Sequence, residues 1–436
     1  MLQTATIAVT DYTGPTEPER MKTTSATAGN GAQPLDVAPL FTPLTIGRLT
    51  LQNRFVMAPM GRGSASDGVL SPGYAPYYGR RAEGGAGLVI GEATAIDHPT
   101  AMHMRTSSTI YGAGAEAWAK VANAVHAKGG AFMPQIWHAA LMRSPYPADD
   151  PKLEMANRDM KSMGPSGLYM PGLIDPSLTP PEPVQVEEPM TVAEIDECIA
   201  SYARAAATAM AIGCDGINIH GAHGYLIDEF LWSRFNRRTD AYGGSLVNRV
   251  RFAAEVVAAC RAATAPDFPI MLRLSQWKQQ DYRARIAESA DELAEIVEPL
   301  AAAGADLFDC STRRFWEAEF AGSDLSLSGW IKRLTRKPTM MVGSLGIAKE
   351  VLEKDAMAAL RAVAAGGKAA APTDIATIDG PPHMLEEALR RFARGDFDLL
   401  GVGRMMIANP DFANRVRDGD YAALQVYRTE HLMKLE

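Results

Sequence analysis

Eight short apolar runs, spaced by amphipathic stretches, constrain this 436-residue chain more than any other feature. They are Arg54–Met60, Gly87–Ala93, Ala131–His138, Gly216–His220, Pro269–Ser275, Asp306–Ser311, Thr339–Gly343 and Asp398–Gly403. The runs are continuous rather than alternating, as in strands buried on both faces, and such strands belong to parallel sheets. Helical patterns lie between them, among them Val192–Ile212, Ser245–Ala263 and Glu288–Ala303. Thr191 and Glu194 stand at capping-box spacing before the first of these. Eight strands alternating with helices predict an α/β fold, a (β/α)8 TIM barrel with loop insertions. A doubly wound sheet is the alternative. It calls for a glycine-rich dinucleotide turn, and neither G-x-G-x-x-G nor a Walker loop occurs in the sequence.

Residues 1–38 have no sustained period and are rich in Thr, Ala, Pro and Gly, which predicts a flexible N-terminal arm. Residues 39–436 then form a single barrel domain, with excursions at 141–190 and 348–380. Lys and Arg number 43 against 51 Asp and Glu, a formal net charge of −8, which argues against nucleic acid as a partner. No apolar run approaches the ~18 residues of a membrane span. A soluble, cytoplasmic protein, monomeric or homo-oligomeric, is expected. The four cysteines have no C-x-x-C spacing, so a cysteine-held iron–sulfur cluster or zinc ribbon is excluded, and buried thiols are expected.

In such a barrel, function sits at the C-terminal ends of the strands. The first run ends in Ala58-Pro59-Met60-Gly61-Arg62, the second in Glu92-Ala93-Thr94. The third carries Gln135, Trp137 and His138; the fourth ends in His220-Gly221-Ala222-His223-Gly224-Tyr225. The fifth carries Arg273 and Ser275, the seventh ends in Gly343-Ser344, and the eighth in Gly403-Arg404. Glycines after the last two strands permit the close backbone approach of a phosphate cradle, and Arg404 adds a charged fork. His220 and His223 converge only if the strand stops at His220 and the chain then turns. Arg273 lies in an otherwise apolar strand, so its partner is an acidic neighbour or an anionic ligand. Two histidines without an acidic third ligand are a weak metal signal, and no metal site is expected.

These residues give the chain a resemblance to the old yellow enzyme family of FMN-dependent ene-reductases. The resemblance runs from about residue 40 to 412, through LFTPLTIGRLTLQNRFVMAPM, GEATAI, QIW, LRLS, VGS and VGRMMIANPDF. Its most specific stretch is HGAHGYLIDEFLWSRFNRRTDAYGGSLVNRVRF, from His220 to Phe252. The resemblance implies an FMN-holding barrel that takes hydride from NAD(P)H and reduces the C=C bond of an α,β-unsaturated carbonyl or nitro compound. The alkene and the nicotinamide would use one face of the flavin in turn, a ping-pong cycle. It implies catalytic roles for Tyr225 as proton donor and for His220 and His223 as donors to the substrate oxygen. It further implies FMN contacts from Ala58, Pro59, Met60, Gly61, Ala93, Gln135, His220 and Arg273, and a phosphate cradle of Gly343, Ser344, Gly403 and Arg404.

Two departures stand out. Gly61 occupies a place where the family carries Thr or Cys, so a hydrogen bond to the flavin edge is missing. The stretch SQWKQQDY, residues 275–282, is not a general family feature. Three other readings remain open at this level. One is a desaturase or isomerase on the same scaffold. Another is a non-catalytic FMN-binding protein. The third is a flavin-free lyase or aldolase, for which Lys278 is the only strand-end Schiff-base candidate.

Overall fold

The computed structural model describes residues 35–102, 104–143, 157, 159–171, 179–346 and 380–436. The arm expected over 1–38 lies outside them up to residue 34. From Leu35 the chain belongs to the folded unit, with Val37 buried and Leu35 packed on the core. The 348–380 excursion also lies outside, up to Gly380, where a helix begins.

The eight barrel strands are β1 (Phe55–Met57), β2 (Leu88–Ala95), β3 (Ala131–Trp137), β4 (Ile217–His220), β5 (Ile270–Leu274), β6 (Leu307–Ser311), β7 (Thr339–Val342) and β8 (Leu399–Val402). All pair in parallel, and β1 pairs with both β2 and β8, which closes the sheet into a barrel and excludes the doubly wound alternative. The strands coincide with the eight apolar runs because each is packed on both faces. Outward side chains meet the helix layer. Inward ones, such as Val56, Ile90, Met133, Met271, Leu307, Met340 and Leu399, fill the lower barrel. A hairpin of Leu44–Ile46 and Leu49–Leu51 adds Ile46, Leu49 and Leu51 to that interior cluster.

β1 is shorter than its run, since Pro59 has no N–H to extend the ladder. Pro134 lies inside the central strand β3, where proline is tolerated only at an irregularity. It faces the register shift between Ile90 and Ala93 of β2, so no ladder bond is lost. Gly91 lies in the same shift, and a Cβ there would fall 2.8 Å from the buried Trp118 ring.

Helices α1 (Tyr74–Glu83), α2 (Gly112–His126), α3 (Val192–Ala211), α4 (Leu226–Leu231), α5 (Leu246–Ala262), α6 (Ala290–Ala302), α7 (Leu327–Thr335) and α8 (Gly380–Arg394) connect successive strands. The capping box forms as spaced: Thr191 Oγ accepts from Glu194 N and Glu194 Oε2 accepts from Thr191 N, worth about 1 kcal/mol. The described part of the 141–190 excursion holds a two-residue hairpin, Leu168–Tyr169 with Val184–Gln185. No helix among the described residues is long and apolar enough to cross a membrane.

Candidate active site

The turn after β4 brings the imidazoles and the phenol together. The strand stops at His220; then His223 and Gly224 adopt φ +66° and +83°, and α4 begins at Leu226. Left-handed backbone at a histidine costs of order 1–3 kcal/mol and persists only where its surroundings enforce it. Here Ser275 Oγ accepts from His223 N and donates to Trp277 O, while Asp228 Oδ2 accepts from Gly224 N at 2.7 Å. The turn reverses the alternation of the strand. His220 and His223 stand ring to ring at 5.0 Å and 84°, with Tyr225 4.9 Å from His220.

His220 is buried and His223 half-buried, and both imidazoles are held well below the ordinary histidine range, His220 by burial first and then by the nearby Arg273. For His223 the order is burial, His220, Arg273 and Lys278. Both rings are therefore neutral at pH 7. His220 Nδ1 accepts from Ala222 N, so its proton sits on Nε2 and is available to a ligand oxygen. His223 Nε2 meets Ser311 Oγ at 2.8 Å, and the Trp277 ring covers His223 at 4.4 Å.

Above the apolar lower barrel lies a polar layer. Strand register puts His220 beside Arg273, Arg273 beside Asp309 and Gln135 beside Asn218. Gln135 Nε2 donates to Asn218 Oδ1, and Asn218 Nδ2 donates to Asp309 Oδ2. Arg273 Nε lies 2.9 Å from Asp309 Oδ2, an ion pair by distance, but its alignment leaves Nε with no hydrogen-bond partner. The two alternatives for Arg273 are thus both partly answered. An acidic neighbour compensates the charge, and the guanidinium also borders a cavity of about 400 Å³.

That cavity opens at the strand C-termini and has the size of a small-molecule site. Ala58, Pro59, Met60, Gly61, His223, Arg273, Gly343, Ser344, Gly403 and Arg404 border it. Ala93 and Gln135 are adjacent in the β2–β3 register, and His220 and Tyr225 touch His223 or one another, but none of these four borders the cavity itself. At Gly343 a Cβ would fall 2.6 Å from Thr312 Oγ1, and at Gly403 3.2 Å from Met60 Sδ. Ser344 is held at φ +44°, with its Oγ 3.5 Å from Arg404 Nη2. Gly61 differs from these: its φ is ordinary and a Cβ there meets nothing within 4 Å. Its backbone does not demand glycine, so the missing side chain leaves room in the cavity.

Several residues of the site escaped sequence reading. Ser311, Asp309 and Asn218 lie inside the β4 and β6 runs, and Asp309 was a visible signal, a second charge in an apolar strand. Tyr427 and Leu432 also border the cavity, on a C-terminal segment whose His431 and Leu432 carbonyls accept from the buried Arg62. Glu92 accepts from Arg62 N, and burial pushes its carboxyl up to about 7. Lys278 is fully buried, 2.7 Å from Asp228 Oδ1, away from any role as an exposed Schiff-base amine.

His98, His138 and Cys198 form the one group of three metal-type side chains found among the described residues. His138 Nδ1 accepts from Ala140 N, so its neutral ring carries the proton on Nε2, 3.4 Å from His98 Nδ1. That atom is a donor within a hydrogen-bonded pair and not a lone pair turned to a cation. All four cysteines are free and buried.

A closed parallel barrel with this cavity, and with a buried arginine and glycines at its strand ends, suits a flavin oxidoreductase. The profile of the NADH:flavin oxidoreductase / NADH oxidase family matches residues 39–369. Flavin oxidoreductase hxnT of Emericella nidulans is 32% identical over 392 residues, 87% of this chain and 91% of that protein. 12-Oxophytodienoate reductase 7 of Oryza sativa subsp. japonica is 32% identical over 87% of this chain and 88% of its own. Among solved structures, the old yellow enzyme homologue from Zymomonas mobilis superposes with a TM-score of 0.67 at 26% identity, over 91% of this chain and 96% of its own. Morphinone reductase in complex with tetrahydroNAD gives 0.65 at 25% identity, over 91% and 97%. The chain belongs to the NADH:flavin oxidoreductase family of old yellow enzymes, with FMN as cofactor and a reduced nicotinamide as reductant.

Proposed function

We propose that the protein is an ene-reductase, acting on an alkene activated by a carbonyl or nitro group. The observation that carries this reading is the convergence of two neutral imidazoles and a phenol beside the buried Arg273. FMN fits the residues present. A guanidinium with an unpartnered Nε suits the electron-rich edge of a reduced flavin, and a cradle that a Cβ would fill at Gly343 suits a phosphate. Arg273 and Gln135 would hold the pyrimidine edge; Ala58, Pro59, Met60, Gly61 and Ala93 would line the ring; Gly343, Ser344, Gly403 and Arg404 would hold the phosphate. Bound FMN supplies the hydride chemistry, from NAD(P)H to the alkene β-carbon.

The protein's own part concerns the oxygen and the proton. His220 and His223 hold the carbonyl or nitro oxygen, and their hydrogen bonds strengthen as negative charge grows there, so they act on the transition state. Being neutral, they donate without surrendering a charge. Tyr225 gives a proton to the α-carbon. Trp277, tilted against His223, also borders the cavity, which nicotinamide and alkene occupy in turn.

The deciding experiment is the visible spectrum of the purified protein during turnover. A flavin band bleached by NAD(P)H and restored by 2-cyclohexenone, with one NAD(P)H consumed per alkene reduced, supports the reading. Enone turnover without NAD(P)H consumption points instead to an isomerase. For the cradle, Arg404→Ala should weaken FMN by roughly 10–100-fold, the worth of a charge-assisted hydrogen bond, and leave riboflavin unchanged. Flavin fluorescence titration measures both. An equal loss for the two flavins would place the phosphate elsewhere.

A further inference from the structure

We infer that Gln279 is a positioning residue for Tyr225, setting the direction of the phenol's proton and stabilising the oxygen that gives it up. The inference rests on the reading of Tyr225 as proton donor and concerns a residue, Gln279, outside the motifs that carry the family resemblance.

Gln279 Nε2 donates to Tyr225 Oη at 3.0 Å, and Gln279 borders the cavity. A phenol has one proton and can accept as well as donate. A partner that donates leaves that proton directed elsewhere; a partner that accepts would hold it. The amide therefore does not itself take the Tyr225 proton. In the transfer, the Oη–H bond breaks and its electron pair stays on Oη. The proton bonds to the substrate α-carbon through the electron pair of the enolate. The Gln279 N–H then faces an anionic oxygen, and its hydrogen bond becomes charge-assisted. The contact is stronger after transfer than before, which is the condition for lowering the barrier. Water restores the phenol proton afterwards.

The amide is held in place before any substrate arrives. Gln279 N donates to His223 O, and Lys278 bridges His223 across the same short ladder. Lys278 Nζ donates to Ser275 O and pairs with Asp228, which in turn accepts from Gly224 N. Gln280 Nε2 donates to Gly224 O. The 275–281 loop is thus fastened along the His223-Gly224-Tyr225 turn. The other groups facing Tyr225 are His220 and Trp137, with His223 and Arg273 behind His220.

The test uses the FMN-loaded enzyme and rapid mixing of each half-reaction, with 2-cyclohexenone as the alkene. Gln279→Leu should slow the alkene half-reaction about tenfold, the worth of one such hydrogen bond. Its solvent deuterium isotope effect should rise, because proton transfer becomes more rate-limiting. The nicotinamide half-reaction and the affinity for 4-hydroxybenzaldehyde should stay as in the parent. Gln279→Glu should be slower still, since a carboxylate accepts the phenol proton. In a Tyr225→Phe background, Gln279→Leu should add nothing. If Tyr225→Phe is slow but Gln279→Leu is as fast as the parent, the Gln279 role is overturned and the Tyr225 reading survives. If Tyr225→Phe is itself as fast as the parent, the proton-donor reading fails. Equal slowing of both half-reactions, additivity with Tyr225→Phe, or a Gln279→Glu faster than Gln279→Leu would also overturn the proposal. Should Gln279→Leu lose FMN, Gln279→Met replaces it in every arm.

Discussion

Tyr225→Phe is expected to slow the alkene half-reaction by roughly 10²–10⁴-fold, the typical worth of a positioned proton donor. FMN content and the nicotinamide half-reaction should be unchanged. The reason is geometric. The Tyr225 ring is packed edge-on between Trp137 and His220, at 5.4 and 4.9 Å, and phenylalanine keeps both contacts. What is lost is the hydroxyl and its contact with Gln279. The His220 and His223 imidazoles do not depend on that hydroxyl, since they bond Ala222 N and Ser311 Oγ, and Ser275 Oγ holds the His223 backbone. Oxygen binding should therefore survive, and phenol ligands should still bind with parental affinity. Stopped-flow measurement of the two half-reactions separates the outcomes. A loss shared by both would mean that the substitution damages the flavin site, and the role assigned to Tyr225 would not stand.

The second large effect is one of stability. Lys278→Met should destabilise the folded protein by about 3–5 kcal/mol, because it strands the buried Asp228. Both side chains are fully buried, 2.7 Å apart. Burial raises the Asp228 carboxyl and lowers the Lys278 amine, and each partner opposes the other's shift. Neighbouring Glu229 offers no positive charge in exchange, and burial pushes its carboxyl well above the ordinary range. Adding Asp228→Asn to Lys278→Met should recover most of the loss. Asparagine can still accept from Gly224 N, and no charge remains in the interior. Urea unfolding of the FMN-loaded protein measures the series. A double mutant no more stable than Lys278→Met would show that shape, and not charge compensation, is what the pair provides.

Much of this architecture is legible before any coordinates. The eight runs are legible because strands covered on both faces need continuous apolar sequence. The end of the barrel that carries chemistry then follows from which side of each run the polar residues stand. Arg273 was legible as a problem, since a charge within a buried strand must have a partner. The segment 275–282 was legible as an oddity against the family resemblance, and the structure fastens it along the Tyr225 turn.

Other features depended on register and turn geometry, which local sequence does not encode. His220 and His223 meet only because His223 and Gly224 take left-handed backbone, held there by Ser275 and Asp228 from elsewhere in the chain. Asp309 compensates Arg273 because β5 and β6 align at those two residues, and a one-residue slip would send them to opposite faces. Gln279 reaches Tyr225 across a sequence separation of 54, and Leu432 reaches the cavity from the C-terminal segment to line it beside Met60 and Arg273. Sequence alone determined the barrel, the functional end and the chemical types gathered there, because burial and strand ends are local properties. Which donor faces which acceptor was decided by the tertiary structure, because hydrogen-bond partners are chosen by distance in space between strands that share no sequence neighbourhood.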